Sequence, residues 1–422
     1  MSGPAAAWQG GWRQGLPYGA LGLPLAFVAL PLYVVLPNHY AAEFGVPLAT
    51  LGALLLGARL FDALADPLIG RWVDGWFARS SARVLLAAAL AALVVAVGFR
   101  GLFFPPPAAR EAPALLVWCA ALLAATYLGY SVLSVLHQAW GARLGGNEDQ
   151  RARIVSWREG LALVGVLVAS VLPSTAGLSV TSGVFALLLL AGVGLLTAAP
   201  RPAVQAAAAG SLHAPLGTPA FRRLLAVYLL NGVASAVPAT LVLFFIRDRL
   251  QAPAQEPLFL ASYFAAGALS MPLWVRAVQR LGLSRSWLLG MGLAMASFVW
   301  AATLDAGDVA AYTAVCIASG IALGADLTLP GALLAGVIQR AGHAGQREGA
   351  YFGWWNFATK LNLALAAGLA LPLLAAFGYT PGGRDATALQ ALTLAYCLLP
   401  CALKLGAALL LWLVWIRKEV PQ

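Results

Sequence analysis

The chain has 422 residues, of which 61% are hydrophobic and 10% charged, and its mean hydropathy is +0.82. A water-soluble domain of this composition could not cover its surface with polar groups, so the composition excludes a soluble globular protein and predicts a polytopic membrane protein. The net charge of +10 does not indicate nucleic-acid binding, because the basic residues are scattered singly between apolar runs and form no basic patch.

Apolar runs separated by polar or Pro/Gly-rich segments predict twelve transmembrane helices, since one span needs about 20 apolar residues. No cleavable signal peptide is recognisable before the first run, so we expect the first helix to be retained. The predicted spans are 16–37, 46–70, 82–104, 113–138, 158–177, 180–198, 224–246, 257–277, 286–304, 308–338, 351–377 and 386–415.

The longest polar connection, 199–223, is rich in Ala, Pro and Gly and predicts a linker between two halves. It leaves six predicted helices in 1–198 and six in 224–422. Both halves carry a short arginine-rich loop after their second helix, GRWVDGWFARSSAR in the first and PLWVRAVQRLGLSRSW in the second. Matching loops of this kind are typical of transporters with parallel repeats. We therefore predict an all-α fold of two six-helix bundles.

The distribution of basic residues predicts the orientation of the chain in the membrane. If both termini are cytoplasmic, eighteen of the 26 Lys and Arg residues lie on the cytoplasmic side and five on the opposite side. Lysine and arginine accumulate on the cytoplasmic side of membrane proteins. We therefore expect a multi-pass protein of the cytoplasmic (inner) membrane with cytoplasmic N- and C-termini. Nothing in the sequence requires an oligomer, and a monomer is expected.

Predicted helix 2 contains the densest set of intramembrane charges, in the segment ARLFDALADPLIGRWVD. Arg59, Asp62 and Asp66 are spaced i, i+3 and i+7, so they lie on one helical face. Each such charge costs at least about 2.5 kcal/mol on insertion scales and needs a partner or a function. Two carboxylates one turn apart can bind Na⁺ through hard oxygens or hold a proton. The alternative is a structural salt-bridge network, but two acids against one base favour a mobile cation or a base on another helix.

Other polar residues inside predicted helices are candidates for coupling or solute binding. Lys360, one of three lysines in the chain, lies mid-span in helix 11 and is a candidate base for the helix-2 acids. Asp326 in helix 10 either binds solute or a proton, or is neutralised by Lys360 or Lys404. Arg158, at the predicted start of helix 5, either reaches a cavity or is an ordinary cytoplasmic flanking residue.

Several aromatic side chains could stack on a sugar ring. Tyr127 and Tyr130 lie within predicted helix 4, and Trp354 lies near the start of helix 11. Anchoring at the membrane–water interface is the alternative for the tryptophan.

The segment ARLFDALADPLIGRWVD resembles the helix-2 signature of the glycoside-pentoside-hexuronide:cation symporter family, melibiose-carrier-like transporters of the major facilitator superfamily. REGAYFGWWNFATKLNLALAAGLALPLLAAFGY is similar to the family's helix-11 segment, with Lys360 and Tyr379 at the same spacing. QRARIVSWREG is similar to the segment at the start of helix 5. The resemblance implies two six-helix bundles around a central cavity, alternating access, a cation site at Asp62 and Asp66, a coupling role for Lys360, and a sugar-site role for Arg158.

The chain departs from the family pattern at positions that concern the ion and the solute. Ala65 stands where the melibiose carrier has an asparagine that helps to bind sodium, which favours a proton. The helix-1 segment LPYGALGLPLAFVALPLYVVLP contains no acid, and Ser131 stands near the position of the family's helix-4 sugar-binding acid. Two acids that would grip sugar hydroxyls are therefore missing. A more hydrophobic solute stays open, since the wider family includes a lysophospholipid symporter.

We therefore predict a cation-coupled secondary active transporter, a symporter of a small organic solute such as a glycoside, driven by H⁺ (favoured) or Na⁺. The first alternative is a transporter of a lysolipid or other amphiphile. An intramembrane enzyme or a non-transporting receptor is the alternative of another class, but no nucleophile, structural metal site or phosphate-binding loop accompanies the acids.

No cofactor is expected beyond the coupling ion. The expected partners are a solute, a coupling cation and the lipid bilayer. The predicted site residues are Asp62, Asp66 and Lys360 for coupling, Arg59 as an ion-pair partner, and Arg158, Tyr127, Tyr130, Ser131, Asp326 and Trp354 for the solute.

Overall fold

The structure is a computed structural model that describes residues 8, 11–111, 113–203, 205, 211–383 and 385–417. Within these residues every regular element is a helix. Arg384 and Lys418, which entered the charge count, lie outside the described residues, as do 204 and 206–210 of the predicted linker.

The first predicted span is a series of short helical pieces. They are α1 (Trp12–Gly19), α2 (Gly22–Phe27), a π-helical segment (Pro31–Val35) and α3 (Leu36–Phe44). Pro17 and Pro24 lie within α1 and α2, and prolines also open the last two pieces. Because proline has no N–H and clashes with the carbonyl four residues earlier, repeated prolines prevent one continuous helix.

The remaining elements of the first half are α4 (Leu48–Phe77), α5 (Ser81–Phe103), a 3₁₀ turn (Pro107–Ala109), α6 (Ala114–Arg143) and α7 (Glu148–Leu196). Of these helices, α4, α6 and α7 extend beyond their predicted spans at one end, whereas α5 has the predicted length.

α7 contains both the fifth and the sixth predicted spans, with a kink between them where Gly177 has φ 78° and ψ 166°. It begins at Glu148, so the predicted helix start at 158 is wrong. The cause is a capping box: Gln150 N–H donates to the Asn147 side chain, and Asn147 N–H donates to the Gln150 side chain. The polar run that looked like a loop is therefore helical, and Arg158 lies well inside α7.

The second half contains helices that agree with the remaining six spans. They are α8 (Pro219–Phe244) with a π-helical extension (Phe245–Arg249), α9 (Glu256–Leu281), α10 (Leu283–Ala301), α11 (Val309–Arg340), α12 (Glu348–Ala376), and α13 (Ala386–Thr393) joined through Leu394–Leu398 to α14 (Leu399–Leu411) and its π-helical end (Trp412–Ile416). Short 3₁₀ turns lie at Ala214–Gly217 and Pro253–Gln255.

By length and composition, nine helices of the described residues are long and apolar enough to cross a membrane. The nine correspond to the twelve predicted spans because α7 holds two of them, and because α4 and α10 fall outside this count. α4 is the helix with the interior charges.

The chain forms two compact units. Unit 1 comprises Met1–Pro215 and Ile338–Phe357, and unit 2 comprises Leu216–Val337 and Ala358–Gln422. The end of α11 and the beginning of α12 therefore belong to unit 1, although the rest of both helices belongs to unit 2. The predicted division into 1–198, 199–223 and 224–422 stays a prediction.

In unit 1, glycines let helix backbones touch. α2 packs on α7. A Cβ added at Gly165 of α7 would lie 2.1 Å from the Leu23 carbonyl oxygen, and one at Gly22 of α2 would lie 2.4 Å from the Arg158 carbonyl oxygen. Small residues are the usual means by which membrane helices approach closely. The glycines therefore fix the distance between the first span and the part of α7 that carries Arg158.

In unit 2, aromatic rings from α8, α11 and the last span form the core. Phe245 stacks on Tyr396 with ring centroids 4.3 Å apart, and the hydroxyls of Tyr312 and Tyr396 are 2.7 Å apart. Near the end of α12, Tyr379 donates its hydroxyl hydrogen to Asp248, which also accepts from Gly382 N–H at 3.0 Å. The residues just after α12 are thus hydrogen-bonded to the π-helical extension of α8.

We expect Gly165→Ala to lower the melting temperature of the purified protein, because overpacking a close contact costs about 1–3 kcal/mol. Gly183→Ala is the matched control on the same helix, since a Cβ there meets nothing within 4 Å. In the control, alanine gains about 1 kcal/mol of helix propensity over glycine. Equal melting temperatures for the two variants in detergent would contradict the close α2–α7 contact.

Candidate functional site

Asp62 and Asp66 lie inside α4 in unit 1, with exposed fractions of 4% and 0%. α4 is continuous from Leu48 to Phe77 through Pro67, so the two carboxylates stand one turn apart on one face. Pro67 has no N–H to donate to the Ala63 carbonyl, four residues earlier. The segment therefore offers two buried carboxylates and a backbone carbonyl relieved of its usual donor.

α6 brings a hydroxyl to these acids. Ser131 is fully buried, and its hydroxyl donates to Asp62 Oδ1 at 2.6 Å. The contact follows from the packing of α4 against α6. Ser131, which we predicted to bind solute, therefore lies at the predicted cation site.

Arg59 and two tyrosines form the next layer around α4. The Arg59 guanidinium carbon lies 3.9 Å from the ring centroid of Tyr33, a cation–π contact. The rings of Tyr33 and Tyr127 have centroids 6.4 Å apart, and Tyr127 is 3% exposed. Tyr130, on the same helix as Tyr127, is half-buried. Sequence reasoning missed Tyr33, and the predicted ion-pair role of Arg59 stays a prediction.

Arg158 is buried in α7 and paired with its neighbour in the sequence. Its Nε and Nη2 donate to Glu159 Oε1 at 2.8 and 2.6 Å. The flanking-residue alternative does not hold, because Arg158 is only 9% exposed. Glu159 compensates its charge, and its sugar-site role stays a prediction.

A second charged cluster in unit 1 was missed by sequence reasoning. Arg143 Nη2 lies 2.9 Å from Asp74 Oδ1 and 3.1 Å from Glu348 Oε2, and the three side chains are at most 6% exposed. Asp74 also accepts from the N–H groups of Gly349 and Ala350, each at 2.8 Å. A carboxylate at a helix N-terminus is stabilised by these donors and by the helix dipole.

The cluster went unnoticed because polar residues after a predicted span were assigned to a loop. α4 continues to Phe77 and α6 to Arg143, so both charges lie on helices. Asp74 follows Asp66 by eight residues, about two helical turns, which was the available signal.

Glycines bring the start of α12 onto α4 between the two acidic sites. A Cβ at Gly70 would lie 2.2 Å from the Gly349 carbonyl oxygen, and one at Gly353 would lie 2.5 Å from the Asp66 carbonyl oxygen. Nothing larger than glycine fits at these positions without movement. The first two turns of α12 are therefore in backbone contact with the α4 segment that contains Asp66.

The two remaining predicted residues of α12 lie on different parts of the helix. Trp354, in unit 1, donates its indole N–H to the Leu212 carbonyl at 3.0 Å and packs near His213. Lys360 is half-buried in the part of α12 that belongs to unit 2. The predicted solute contact of Trp354 and the predicted coupling role of Lys360 stay predictions.

In unit 2, Asp326 of α11 forms an ion pair with Lys404 of α14, with 2.7 Å between Oδ2 and Nζ. Lys404 also donates to Asn231 Oδ1 at 2.8 Å and to the Ser235 hydroxyl at 3.1 Å. Asp326 accepts further hydrogen bonds from Asn231, Ser235 and the Trp287 indole, at 3.1, 3.1 and 2.9 Å. Of the two bases that we considered for Asp326, the structure shows Lys404 in contact.

Among the described residues, no group of three or more His, Cys, Asp or Glu side chains is placed to hold a metal ion.

We expect Arg143→Met to destabilise the protein strongly, because removing one partner of a buried ion pair costs about 3–5 kcal/mol. Arg153→Met is the control, since Arg153 pairs with Asp149 at 3.2 Å on a partly exposed surface. Such a pair contributes about 0–1 kcal/mol. Thermal unfolding in detergent measures both, and a similar small change in the two variants would contradict the cluster's role.

The family profile described as MFS/sugar transport protein matches residues 16–418. No functionally curated protein matches the sequence.

Solved structures of transporters have the same fold. A bacterial homologue of the iron transporter ferroportin, in an outward-facing state with soaked iron, has a TM-score of 0.69 at 16% identity and covers 97% of this chain and 100% of its own. The Escherichia coli fucose:proton symporter FucP has a TM-score of 0.66 at 14% identity, with coverage of 93% and 98%. The human organic anion transporter MFSD10 (TETRAN) has a TM-score of 0.62 at 19% identity, with coverage of 94% and 99%.

At these sequence identities the likeness to solved structures shows the fold alone. The family profile spans nearly the whole chain and therefore shows the family. The predictions of a twelve-helix fold of two six-helix bundles and of a transporter without enzymatic activity are confirmed. The chain belongs to the MFS/sugar transport protein family, the glycoside-pentoside-hexuronide-like transporters of the major facilitator superfamily.

Proposed function

We propose that this transporter is a cation-coupled symporter that moves a small organic solute, such as a glycoside, into the cell. The observation that carries the proposal is the pair of buried carboxylates, Asp62 and Asp66, one turn apart in α4 with the Ser131 hydroxyl on Asp62. Burying two acids in a membrane helix is costly unless a cation or a base compensates them. A cation that binds this site in each transport cycle would compensate the charge of both carboxylates and so explain why both are buried.

We favour a proton over sodium as the coupling ion. Sodium needs several oxygen ligands, and Ala65 provides no side-chain oxygen where an amide would add one. FucP, described as a fucose:proton symporter, has the same fold, and at 14% identity the likeness shows the fold alone.

Coupling would operate through linkage between the cation and the solute. A cation on Asp62 and Asp66 neutralises the site and raises solute affinity, and by reciprocity the solute raises cation affinity by the same factor. Lys360 is proposed as the base that competes with the cation. For the solute we retain the set proposed from the sequence: Arg158, Tyr127, Tyr130, Ser131, Asp326 and Trp354.

The contacts of Asp74 with the start of α12 provide a route from the acid pair to that helix along α4. Asp66 and Asp74 lie on the same helix, and Gly353 and Gly349 abut it at corresponding heights. A change at the acid pair would therefore reach the beginning of α12 through direct backbone contact.

We further propose the cytoplasmic membrane as the location, with cytoplasmic termini and a monomeric protein.

The test is uptake by proteoliposomes that carry the purified protein, with labelled sugars and lysolipids under an imposed proton or sodium gradient. We expect accumulation driven by the proton gradient in the wild type. In Asp62→Asn and Asp66→Asn the gradient-driven part should fall about 5- to 150-fold, the range of typical coupling energies. Lys360→Ala should lose it as well.

Asp149→Asn is the control, since Asp149 is a partly exposed acid in the first turn of α7. It should accumulate solute as the wild type does. Accumulation that survives both α4 substitutions would show that the acids are a structural charge network and would refute the proposed coupling site.

A further inference from the structure

Unit 2 contains a cavity that was not predicted from the sequence. It has a volume of about 170 Å³ and lies between α8, α9, α10, α11 and the last span. Its wall is mostly carbon. Aromatic side chains form much of it, namely Phe259, Tyr263, Phe264, Phe298 and Tyr396.

The charged groups that line the cavity are paired with each other. Asp326 and Lys404 form the ion pair described above, and their side chains are 13% and 4% exposed. Lys404 uses its three N–H donors on Asp326, Asn231 and Ser235. Asp326 receives four hydrogen bonds on its two oxygens, which fills its usual acceptor capacity. The ion pair therefore has little hydrogen-bonding capacity left for a ligand.

Three further hydroxyls in the wall, those of Ser319, Tyr396 and Ser235, are already hydrogen-bonded. The Ser319 hydroxyl donates to the Val315 carbonyl at 2.8 Å, the Tyr396 hydroxyl is 2.7 Å from that of Tyr312, and Ser235 belongs to the ion-pair network. A free sugar in this cavity would leave many of its hydroxyls without partners, and each buried unsatisfied group costs about 1–3 kcal/mol. A charged group would have to break the ion pair, which is costlier still.

We propose that this cavity is a solute subsite for the uncharged apolar part of an amphiphile, an aryl group or alkyl chain attached to a polar group. Aromatic walls bind such groups through buried apolar area and ring contacts. The Asp326–Lys404 network lines the cavity and disfavours charged groups, so Asp326 contributes to the selectivity for the solute. The proposal rests on the proposed transport function, because the amphiphile would be the transported solute.

The test is equilibrium binding without any gradient, using purified full-length protein in amphipol. The probe is N-phenyl-1-naphthylamine, an uncharged aromatic compound whose fluorescence rises in apolar surroundings. We expect saturable binding in the wild type. Ala239→Phe, which places a ring in the cavity, should raise the dissociation constant at least about tenfold, a loss of about 1.4 kcal/mol.

Ala296→Phe is the matched control, because Ala296 is an exposed alanine of α10 that does not line the cavity. It should bind as the wild type does. If Ala239→Phe fails to fold, Tyr263→Ala, which removes part of the aromatic wall, carries the test and should also weaken binding. Unsaturable binding, or equal affinity in the cavity variants and the control, would overturn the proposal.

Competition then tests the chemical class. 4-Nitrophenyl β-D-glucopyranoside or lysophosphatidylcholine should displace the probe, whereas methyl β-D-glucopyranoside and glycerophosphocholine, which lack the large apolar part, should not. Equal displacement by the polar compounds, or none by either amphiphile, would overturn the assignment. Because binding requires no gradient, loss of probe binding and loss of gradient-driven uptake are separate results. Binding with no uptake would refute only the symport proposal, and uptake with no binding would refute only the subsite.

Discussion

The free-energy cost of an unpaired charge in a membrane protein interior governs this structure. The buried basic groups described above have acidic partners nearby: Arg143 has Asp74 and Glu348, Arg158 has Glu159, and Lys404 has Asp326. The Arg143 and Lys404 pairs also join different helices. The same constraint is the basis of the cation site that we propose at Asp62 and Asp66, because a bound cation would compensate the two buried carboxylates.

Close backbone contact complements the charge pairs. Gly70, Gly349 and Gly353 let the start of α12 lie on α4, and Gly22 and Gly165 do the same for α2 and α7. Contacts without side chains have little freedom to adjust, so movement of one helix must displace the other. α4 carries the acid pair in its middle and Asp74 near its end, and the start of α12 touches it at both places. The two acidic sites are therefore parts of one helix-to-helix contact, which is the route we propose for coupling.

Much of the fold followed from the sequence, because apolar runs and their polar boundaries are local signals. The acid pair was recognisable for the same reason, since i and i+4 spacing alone places Asp62 and Asp66 on one face. The errors have physical causes. The capping box at Asn147 and Gln150 extends α7 through a polar run, and that extension buries Arg158. Asp74, Arg143 and Glu348 are far apart in the sequence, and only packing brings them together. Lys404 was one of two candidate partners for Asp326, a choice that depends on how α11 and α14 meet.

The central claim is that Asp62 and Asp66 bind and release a cation, and infrared difference spectroscopy tests it most directly. The purified wild type would be titrated with acid, and separately with sodium, and compared with the Asp62→Asn/Asp66→Asn double variant. We expect a protonated-carboxyl band that titrates in the wild type and is missing from the double variant. The spectrum of the wild type should change little with sodium. A spectrum identical in both proteins across the titration, with no response to sodium, would contradict the claim.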